Sequence, residues 1–301
     1  MYHKTDASWS NRRKAPISPK LIWYNHTERG HTVQKIAFIG AGNMASAIIG
    51  GNLQNGEQAV FPRESIIVYD INPEKAAALS VTCAATLIDA VKQCDFCVFC
   101  VKPQHFEGVL AEISAAKPDL SGKRFVTIAA GISTAFIEKY LGAVPVIRIM
   151  PNTPLLVGSG VSAVCRNAYV AAEDFHLIFS LFSSIGYAFE IDEKYMNEIV
   201  AVNGSSPAYI FLFLKALMDG AKESGLSLDE ATLREVACRS MIGSALLLLS
   251  SDKTPEQLIS DVTSPAGTTE KAMAVLYGAG FADTVKEAMR ACTKRAYELT
   301  K

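Results

Sequence analysis

The chain has 301 residues and a mass of 32.4 kDa, half of its residues are hydrophobic, and its formal net charge is −1. This length allows about two domains with full cores, and the balanced charge argues against a dedicated nucleic-acid-binding protein. Seven irregularly spaced cysteines favour reduced thiols, and neither a secretory segment nor a membrane span is predicted. We therefore expect a cytoplasmic protein without a nucleic-acid or membrane partner.

Residues 1–34 differ in composition from the rest of the chain. They carry six Lys or Arg against Asp6 and Glu28. Such a basic, acid-poor start is typical of an organelle-targeting peptide, but no amphipathic helical period runs through it. We interpret the segment as a disordered extension.

A short apolar run at residues 35–40, KIAFIG, predicts a strand that breaks into a glycine turn and then a helix. Strand, glycine turn and helix in this order are typical of a dinucleotide-binding unit. Gly40 permits the tight turn, Gly42 lets the backbone approach a pyrophosphate, and Ala45 allows the helix to press on the strand. The alternative is a tight turn that binds nothing.

The next predicted strand, residues 65–69, ends in Asp70. An acidic residue at this position accepts hydrogen bonds from a ribose 2′-hydroxyl and repels a 2′-phosphate, which favours NAD over NADP. No arginine follows nearby, and only Lys75 is close in sequence. The alternative is that Asp70 caps a helix beginning at Pro73, because Asp70 and Asn72 both suit a helix start.

A third strand is predicted at residues 95–101, within a cluster of cysteines. Cys94, Cys97 and Cys100 resemble the start of an iron–sulfur run, but that run needs a fourth Cys before a proline, and position 104 is Gln104. We therefore expect small buried thiols and no metal.

Further strands at residues 124–130 and 144–150 alternate with helices, which predicts a parallel, doubly wound sheet. The second strand ends in the loop MPNTP, where Asn152 and Thr153 lie at a carboxyl end of the sheet. Ligands of such folds bind there, although the loop alone is equally well explained as a stiff turn. Strand signals stop after Asp192, so we predict an α/β domain at residues 35–192 and an all-α domain at 193–301.

The helical part contains an apolar run at residues 208–218 in which Lys215 is the only charge. A helix this apolar must be buried, either in its own domain or against a second copy of the chain. It is shorter than the roughly 20 apolar residues of a membrane span. We predict an oligomer trunk whose polar start, residues 204–207, faces a ligand.

Two helix starts are predicted farther along. Ser227 and Glu230 suggest a capping box, and Thr254 followed by Pro255 suggests a cap with proline at the first helical position. Residues 262–269, VTSPAGTT, then form a loop dense in hydroxyls and backbone N–H groups before another helix. Such a loop suits a carboxylate, and the alternative is an ordinary connection.

Together these motifs resemble the pyrroline-5-carboxylate reductase family. The signatures are FIGAGNMA at 38–45, CVKPQ at 100–104, MPNTP at 150–154, and GSSPAYIF with VTSPAGTT, in the family order over about residues 35–301. The resemblance implies a Rossmann domain followed by a helical domain that interlocks with a partner in homodimers or rings of dimers. It also implies NADP(H)- or NAD(H)-dependent reduction of 1-pyrroline-5-carboxylate to L-proline.

The resemblance assigns site residues as well. The dinucleotide would be lined by Gly40, Gly42, Asn43, Met44, Lys102, Pro103 and Asn152, beside Asp70 from the strand-end argument. The substrate would be held by Ser205, Ser264, Gly267, Thr268 and Thr269. Thr269 would lie nearest the imine nitrogen as the catalytic group. Because a cyclic imine is easily protonated, catalysis would rest on orientation and hydrogen bonds rather than on a strong acid.

Three positions depart from the family pattern. Ala266 stands where the family usually has one glycine of a pair, and Lys215 stands where the family commonly has an acidic residue. Asp70 differs from the family residues that usually accommodate the 2′-phosphate of NADP. Two other functions remain open from the residues: a β-hydroxyacid-type dehydrogenase with Lys215 as general base, and a non-catalytic dinucleotide sensor.

Overall fold

The computed structural model describes residues 33–301, so the basic segment up to residue 32 lies outside the described residues. The strands are β1 (Ile36–Ile39), β2 (Ile66–Tyr69), β3 (Thr82–Cys83), β4 (Phe96–Phe99), β5 (Arg124–Thr127), β6 (Val146–Pro151), β7 (Gly160–Arg166) and β8 (Gly186–Glu190). The helices are α1 (Asn43–Gln54), α2 (Pro73–Ala77), α3 (Leu87–Gln93), α4 (Pro103–Ala116), α5 (Thr134–Leu141), α6 (Ala172–Ser184), α7 (Ser206–Glu223), α8 (Glu230–Leu249), α9 (Pro255–Asp261), α10 (Thr268–Gly278) and α11 (Phe281–Leu299).

All eight strands join one sheet in the order β3-β2-β1-β4-β5-β6-β7-β8. Neighbouring strands are parallel except β6 and β7, which are antiparallel. The predicted α/β class with a mostly parallel sheet is therefore confirmed. After β1 the chain builds β2 and β3 on one side and then crosses to β4 on the other. This reversal opens a crevice beyond the carboxyl ends of β1 and β4.

Two apolar layers cover the sheet, one on each face. Along β1, Ile36 and Phe38 point into the cluster that contains α1 and α6, while Ala37 and Ile39 point into the cluster that contains α3, α4 and α5. Strands buried on both faces read as continuous apolar runs, which explains why the sequence located them.

Some local predictions are corrected by the structure. The short edge strand β3 has no apolar signature and was not predicted. The predicted Ser227–Glu230 capping box is wrong, because α8 is capped by Asp229, which accepts a hydrogen bond from the Thr232 N–H at 3.0 Å. The predicted cap at Thr254 is confirmed, with proline at the first helical position.

After β8, the described chain is helical to its end. A π-helical turn, Val200–Gly204, leads directly into α7. Helix α7 packs on α8, α10 packs on α11, and α11 packs back on the π-helical turn. The π-helical turn contacts β6 and β7, and the chain end after α11 bonds to the α/β part, where the Lys301 N–H donates to the Gly131 carbonyl at 2.8 Å.

The apolar face of α7 and α8 is exposed in the single chain. Pro207 is the one residue of α7 that is buried. The large apolar side chains that remain exposed on these helices are Ile210, Phe211, Leu212, Phe213, Leu217, Val236, Ile242, Leu246, Leu247, Leu248 and Leu249. The predicted trunk is therefore not buried within its own domain, and its apolar surface requires a cover from outside the protomer.

By length and composition, one stretch of the described chain is apolar enough to cross a bilayer. It spans Val200–Glu223 and contains an 18-residue window with a mean hydropathy of 1.3. This stretch is longer than the apolar run at residues 208–218, because it also includes the π-helical turn before that run and the end of α7 after it. Lys215 and Asp219 lie within it and form an ion pair.

Candidate active site

Gly40 ends β1 in a conformation that favours glycine. Its φ is +101°, and a Cβ there would lie 3.0 Å from the backbone C and O of Cys100. Its N–H donates to the Tyr69 carbonyl at 2.7 Å. The turn is thereby packed between the ends of β2 and β4, the two neighbours of β1, and no side chain fits at this position.

Helix α1 begins behind this turn without a side-chain cap. Gly42 is the N-cap, and a Cβ on it would meet nothing within 4 Å. The first N–H groups of a helix have no intrahelical partner and attract anions. An uncapped helix start with open space in front of it fits the pyrophosphate of a dinucleotide, with Gly42 and the exposed Asn43 nearest to it.

Asp70 links the glycine turn to the end of β2. One carboxylate oxygen accepts from the Ala41 N–H at 2.7 Å, and the other accepts from the Asn72 N–H at 2.8 Å. The cap of α2 is Asn72, whose side chain accepts from the Glu74 N–H at 3.0 Å. The capping alternative therefore applies to Asn72. The charge of Asp70 lies at the strand end where a ribose is read.

The other predicted coenzyme residues follow the next strands. Lys102 is exposed and is the N-cap of α4, and Pro103 is its first helical residue. Met44 is half-buried and packs on the core. Asn152 is only 7% exposed, and its carboxamide already bonds within the protein, to the Val161 N–H at 2.8 Å and the Asn203 carbonyl at 3.3 Å. A coenzyme contact by Asn152 would therefore use a side chain that already makes two hydrogen bonds within the protein.

Ser205 closes the π-helical turn at the head of α7. Its N–H donates to the Val200 carbonyl at 2.8 Å, and its hydroxyl accepts from the Cys292 thiol at 3.2 Å. Burial, together with a hydrogen bond to Cys292, raises the pKa of Tyr209 in the same cluster. Cys292 and Tyr209 were not predicted as neighbours of this turn. Cys292 carried no local signal, because it lies 87 residues farther along the chain.

The hydroxyl-rich loop leads into α10, which begins at Thr268, earlier than the sequence predicted. Gly267 is its N-cap, and no side chain caps it. A Cβ on Gly267 would lie 2.8 Å from the Ser264 backbone carbonyl oxygen, so the position requires glycine. The Thr268 and Thr269 N–H groups belong to the unpaired first turn, which suits a carboxylate.

Ala266 in this loop adopts a left-handed conformation, with φ at +59°. Its N–H donates to the Glu270 carboxylate at 2.7 Å. A non-glycine residue in this region is strained, by roughly 1 to 2 kcal/mol. Alanine in place of glycine therefore has a local energetic cost. The hydrogen bond to Glu270 stabilises the turn.

Within one protomer the two groups of predicted residues lie on different elements. The glycine turn, Asp70, Lys102 and Asn152 follow carboxyl ends of strands, and Ser205 lies beside the end of β6. The loop at 262–269 belongs with α10, whose principal contact in the described chain is with α11. A single copy does not bring that loop against the glycine turn.

Comparison with known proteins assigns the family. The chain is 37% identical to the pyrroline-5-carboxylate reductase of Pisum sativum over 269 residues, covering 88% of this chain and 96% of that one. It is 37% identical to that of Escherichia coli over 275 residues, covering 89% and 99%. The chain belongs to the pyrroline-5-carboxylate reductase family.

Family domains and solved structures agree with this assignment. The domain described as pyrroline-5-carboxylate reductase dimerisation matches residues 193–299, and one described as NADP oxidoreductase coenzyme F420-dependent matches 35–131. A Plasmodium falciparum pyrroline carboxylate reductase with NADP bound superposes with a TM-score of 0.81 at 28% identity, covering 89% of this chain and 98% of that one. The Streptococcus pyogenes enzyme gives 0.78 at 31%, covering 88% and 98%.

Membership of this reductase family explains the exposed apolar helices. The matched dimerisation domain contains all of α7 and α8. The match supports a second copy of the chain as the cover for this apolar face. The ion pair of Lys215 with Asp219 gives Lys215, which is 70% exposed, a partner on its own helix.

The cysteines in and beside β4 pack against the two apolar layers. Cys94 and Cys97 are buried, and burial raises the pKa of the Cys97 and Cys100 thiols, so both stay protonated. Residues 33–301 contain no group of three His, Cys, Asp or Glu side chains placed to hold a metal ion.

Proposed function

We propose that the chain reduces the cyclic imine 1-pyrroline-5-carboxylate to L-proline with NADPH or NADH, the last step of proline biosynthesis. The observation that carries this proposal is the pair of uncapped helix starts. Helix α1 begins at Gly42 with open space for a pyrophosphate, and α10 begins at Gly267 in a hydroxyl-rich loop whose first-turn N–H groups suit a carboxylate. The relatives named above are reductases of this class.

The coenzyme, when bound, supplies the hydride, and the protein residues bind and orient. The groups proposed to hold it are Gly40, Gly42, Asn43, Met44, Asp70, Lys102, Pro103 and Asn152. Those proposed to hold the substrate are Ser205, Ser264, Gly267, Thr268 and Thr269. The imine nitrogen carries its own proton, so the iminium carbon accepts the hydride without a strong acid from the protein. Thr269 is proposed to orient that nitrogen by a hydrogen bond.

The coenzyme preference is proposed to depend on Asp70. Its carboxylate, held by two backbone N–H groups, places a negative charge beside the ribose position. This charge opposes a 2′-phosphate and favours NADH, although the Plasmodium falciparum relative binds NADP. We propose that both coenzymes are used, and that Asp70 shifts the preference toward NADH relative to a site without an acid at this position.

The assembly is proposed to be a homodimer, or a ring of such dimers, in the cytoplasm. In such a dimer the loop at 262–269 of one copy completes the site built on the glycine turn of the other. The exposed apolar face of α7 and α8 and the separation of the two residue groups within one copy support this arrangement.

The assay that tests the function supplies 1-pyrroline-5-carboxylate with NADPH or NADH and follows the nicotinamide absorbance. We expect oxidation of the reduced coenzyme and formation of proline. Oxidation of β-hydroxyacids with NAD or NADP instead would support the dehydrogenase alternative. Coenzyme binding without turnover of either substrate by the folded dimer would support the sensor and refute the reductase.

A further inference from the structure

Two asparagine side chains join the carboxyl end of the sheet to the start of α7. Asn203, in the π-helical turn, is 4% exposed and donates through Nδ2 to the Met150 carbonyl at 2.7 Å. Asn152 donates to the Asn203 carbonyl at 3.3 Å and accepts from the Val161 N–H at 2.8 Å. The end of β6 and the start of β7 are thus connected to the turn that precedes Ser205.

The orientation of the Asn203 carboxamide is fixed by its partner. A carbonyl oxygen only accepts hydrogen bonds, so Nδ2 rather than Oδ1 faces Met150. Oδ1 is then buried without a donor among residues 33–301. A buried amide oxygen without a donor opposes folding. A buried polar atom without a partner in a native structure calls for an explanation, and a positional requirement on the turn supplies one for Asn203.

The requirement concerns the π-helical geometry. The Ser205 N–H reaches back five residues to the Val200 carbonyl at 2.8 Å, one residue farther than in an α-helix. Single π turns are common at functional sites. If this turn relaxed to a regular α-helix, the following residues would rotate by about 100° around the helix axis. The Ser205 hydroxyl would then leave its present position beside Cys292.

We propose that Asn203 is a positioning residue, which holds the π-helical turn in register with the end of β6 and so fixes the Ser205 hydroxyl at the substrate. The inference rests on the imine reduction proposed above. Asn203 acts through the turn and is not assigned a contact with substrate or coenzyme.

The test compares Asn203→Ala with Asn167→Ala in the full-length dimer. Asn167 makes similar bonds at the opposite end of β6, accepting from the Val146 N–H at 3.0 Å and donating to the Val144 carbonyl at 2.9 Å. We expect Asn203→Ala to lower kcat/KM for the imine by roughly 10- to 100-fold, while the coenzyme Kd changes less than about twofold. Asn167→Ala is expected to keep both values within about twofold of wild type.

A second variant, Asn203→Asp, provides a pH readout and is nearly isosteric if the alanine variant does not fold. A protonated carboxyl donates to the Met150 carbonyl, whereas an ionised one repels it. The ratio of variant to wild-type kcat/KM is therefore expected to rise as the pH falls and to stay flat for Asn203→Ala. A role in stability alone would change the unfolding temperature and leave the ratio flat in both variants.

Amide hydrogen exchange separates this inference from the proposed function. Exchange at Ser205 and Ser206 is expected to accelerate in Asn203→Ala and not in Asn167→Ala. A wild-type protein that reduces no imine would refute the proposed function. The exchange data would still test whether Asn203 holds the π-helical turn. Unchanged exchange, or wild-type kcat/KM in the folded Asn203 variants, would overturn the positioning role.

Discussion

At the scale of single residues, Thr269 is expected to be the side chain on which the rate depends most. It lies in the uncapped first turn of α10. We expect Thr269→Ala to lower kcat by roughly 100-fold, because the hydrogen bond that orients the imine nitrogen is lost, and to leave coenzyme binding intact. Steady-state kinetics with coenzyme titration by fluorescence measures both effects.

A matched control lies in the same loop. The Thr263 hydroxyl donates to the Ile259 carbonyl at 2.7 Å, which ties the start of the loop to the last turn of α9. Thr263→Ala is expected to retain the wild-type rate. An unchanged rate in Thr269→Ala would remove that residue from the mechanism.

Asp70 provides a second expectation at this scale. Both Asp70→Ser and Asp70→Asn remove the negative charge, so the kcat/KM ratio of NADPH to NADH should increase by about tenfold, which corresponds to ~1.4 kcal/mol. The serine variant should also weaken both coenzymes, because it loses the bonds to the Ala41 and Asn72 N–H groups, whereas asparagine can retain one. A ratio that does not move in either variant would assign Asp70 to the turn alone.

The sequence identified residues whose signal is local and missed those whose partners are distant. Gly40 was predicted because strand, turn and helix are consecutive. Asn203, Tyr209 and Cys292 were not predicted as a group, because their contacts depend on how α11 packs on the π-helical turn. The choice between Asp70 and Asn72 as a cap was open for the same reason, since the Ala41 N–H that binds Asp70 is 29 residues away.

At the scale of elements, alanine substitutions of the two glycines in the nucleotide turn are expected to have different effects, one on stability and the other on coenzyme binding. Gly40→Ala combines a positive φ with a backbone clash, so we expect a destabilisation of roughly 2 to 4 kcal/mol. Gly42→Ala has an ordinary φ of −80° and meets no protein atom. It should fold normally and weaken coenzyme binding, because its methyl group occupies the pyrophosphate space.

Thermal unfolding and coenzyme titration together distinguish the two variants. Equal unfolding temperatures for Gly40→Ala and wild type would contradict the packing described for the turn. Tight coenzyme binding by Gly42→Ala would place the pyrophosphate elsewhere.

The sequence predicted a strand or a helix start correctly where a single local pattern determines it. Buried parallel strands gave apolar runs, and Thr254 with Pro255 gave a helix start. The antiparallel direction of β7 was not specified, because the reversal depends on the short 3₁₀ turn Thr153–Val157 packing against α1. The cap of α8 was misplaced because Ser227 and Asp229 are both good caps, and local sequence does not choose between them.

At the scale of the whole molecule, activity is expected to depend on pairing of two copies. Leu212 is 68% exposed on α7, so Leu212→Glu should not disturb the protomer but should place a charge in the apolar contact between copies. We expect a folded, monomeric and inactive variant. Tyr169→Glu, at a 52% exposed aromatic side chain of the α/β part, is the control and should remain dimeric and active. Analytical ultracentrifugation with the imine assay measures both, and a fully active monomer would refute the shared site.

The exposed leucines of α7 and α8 also affect how the protein reaches its working form. Before pairing, each protomer displays an apolar surface that can bind any other exposed apolar surface, so refolding divides between correct pairing and aggregation. Pairing is a second-order step, while the sheet and its helices form within one chain. Recovery of activity after dilution from denaturant should therefore lag behind recovery of secondary structure, and the lag should shorten as protein concentration increases.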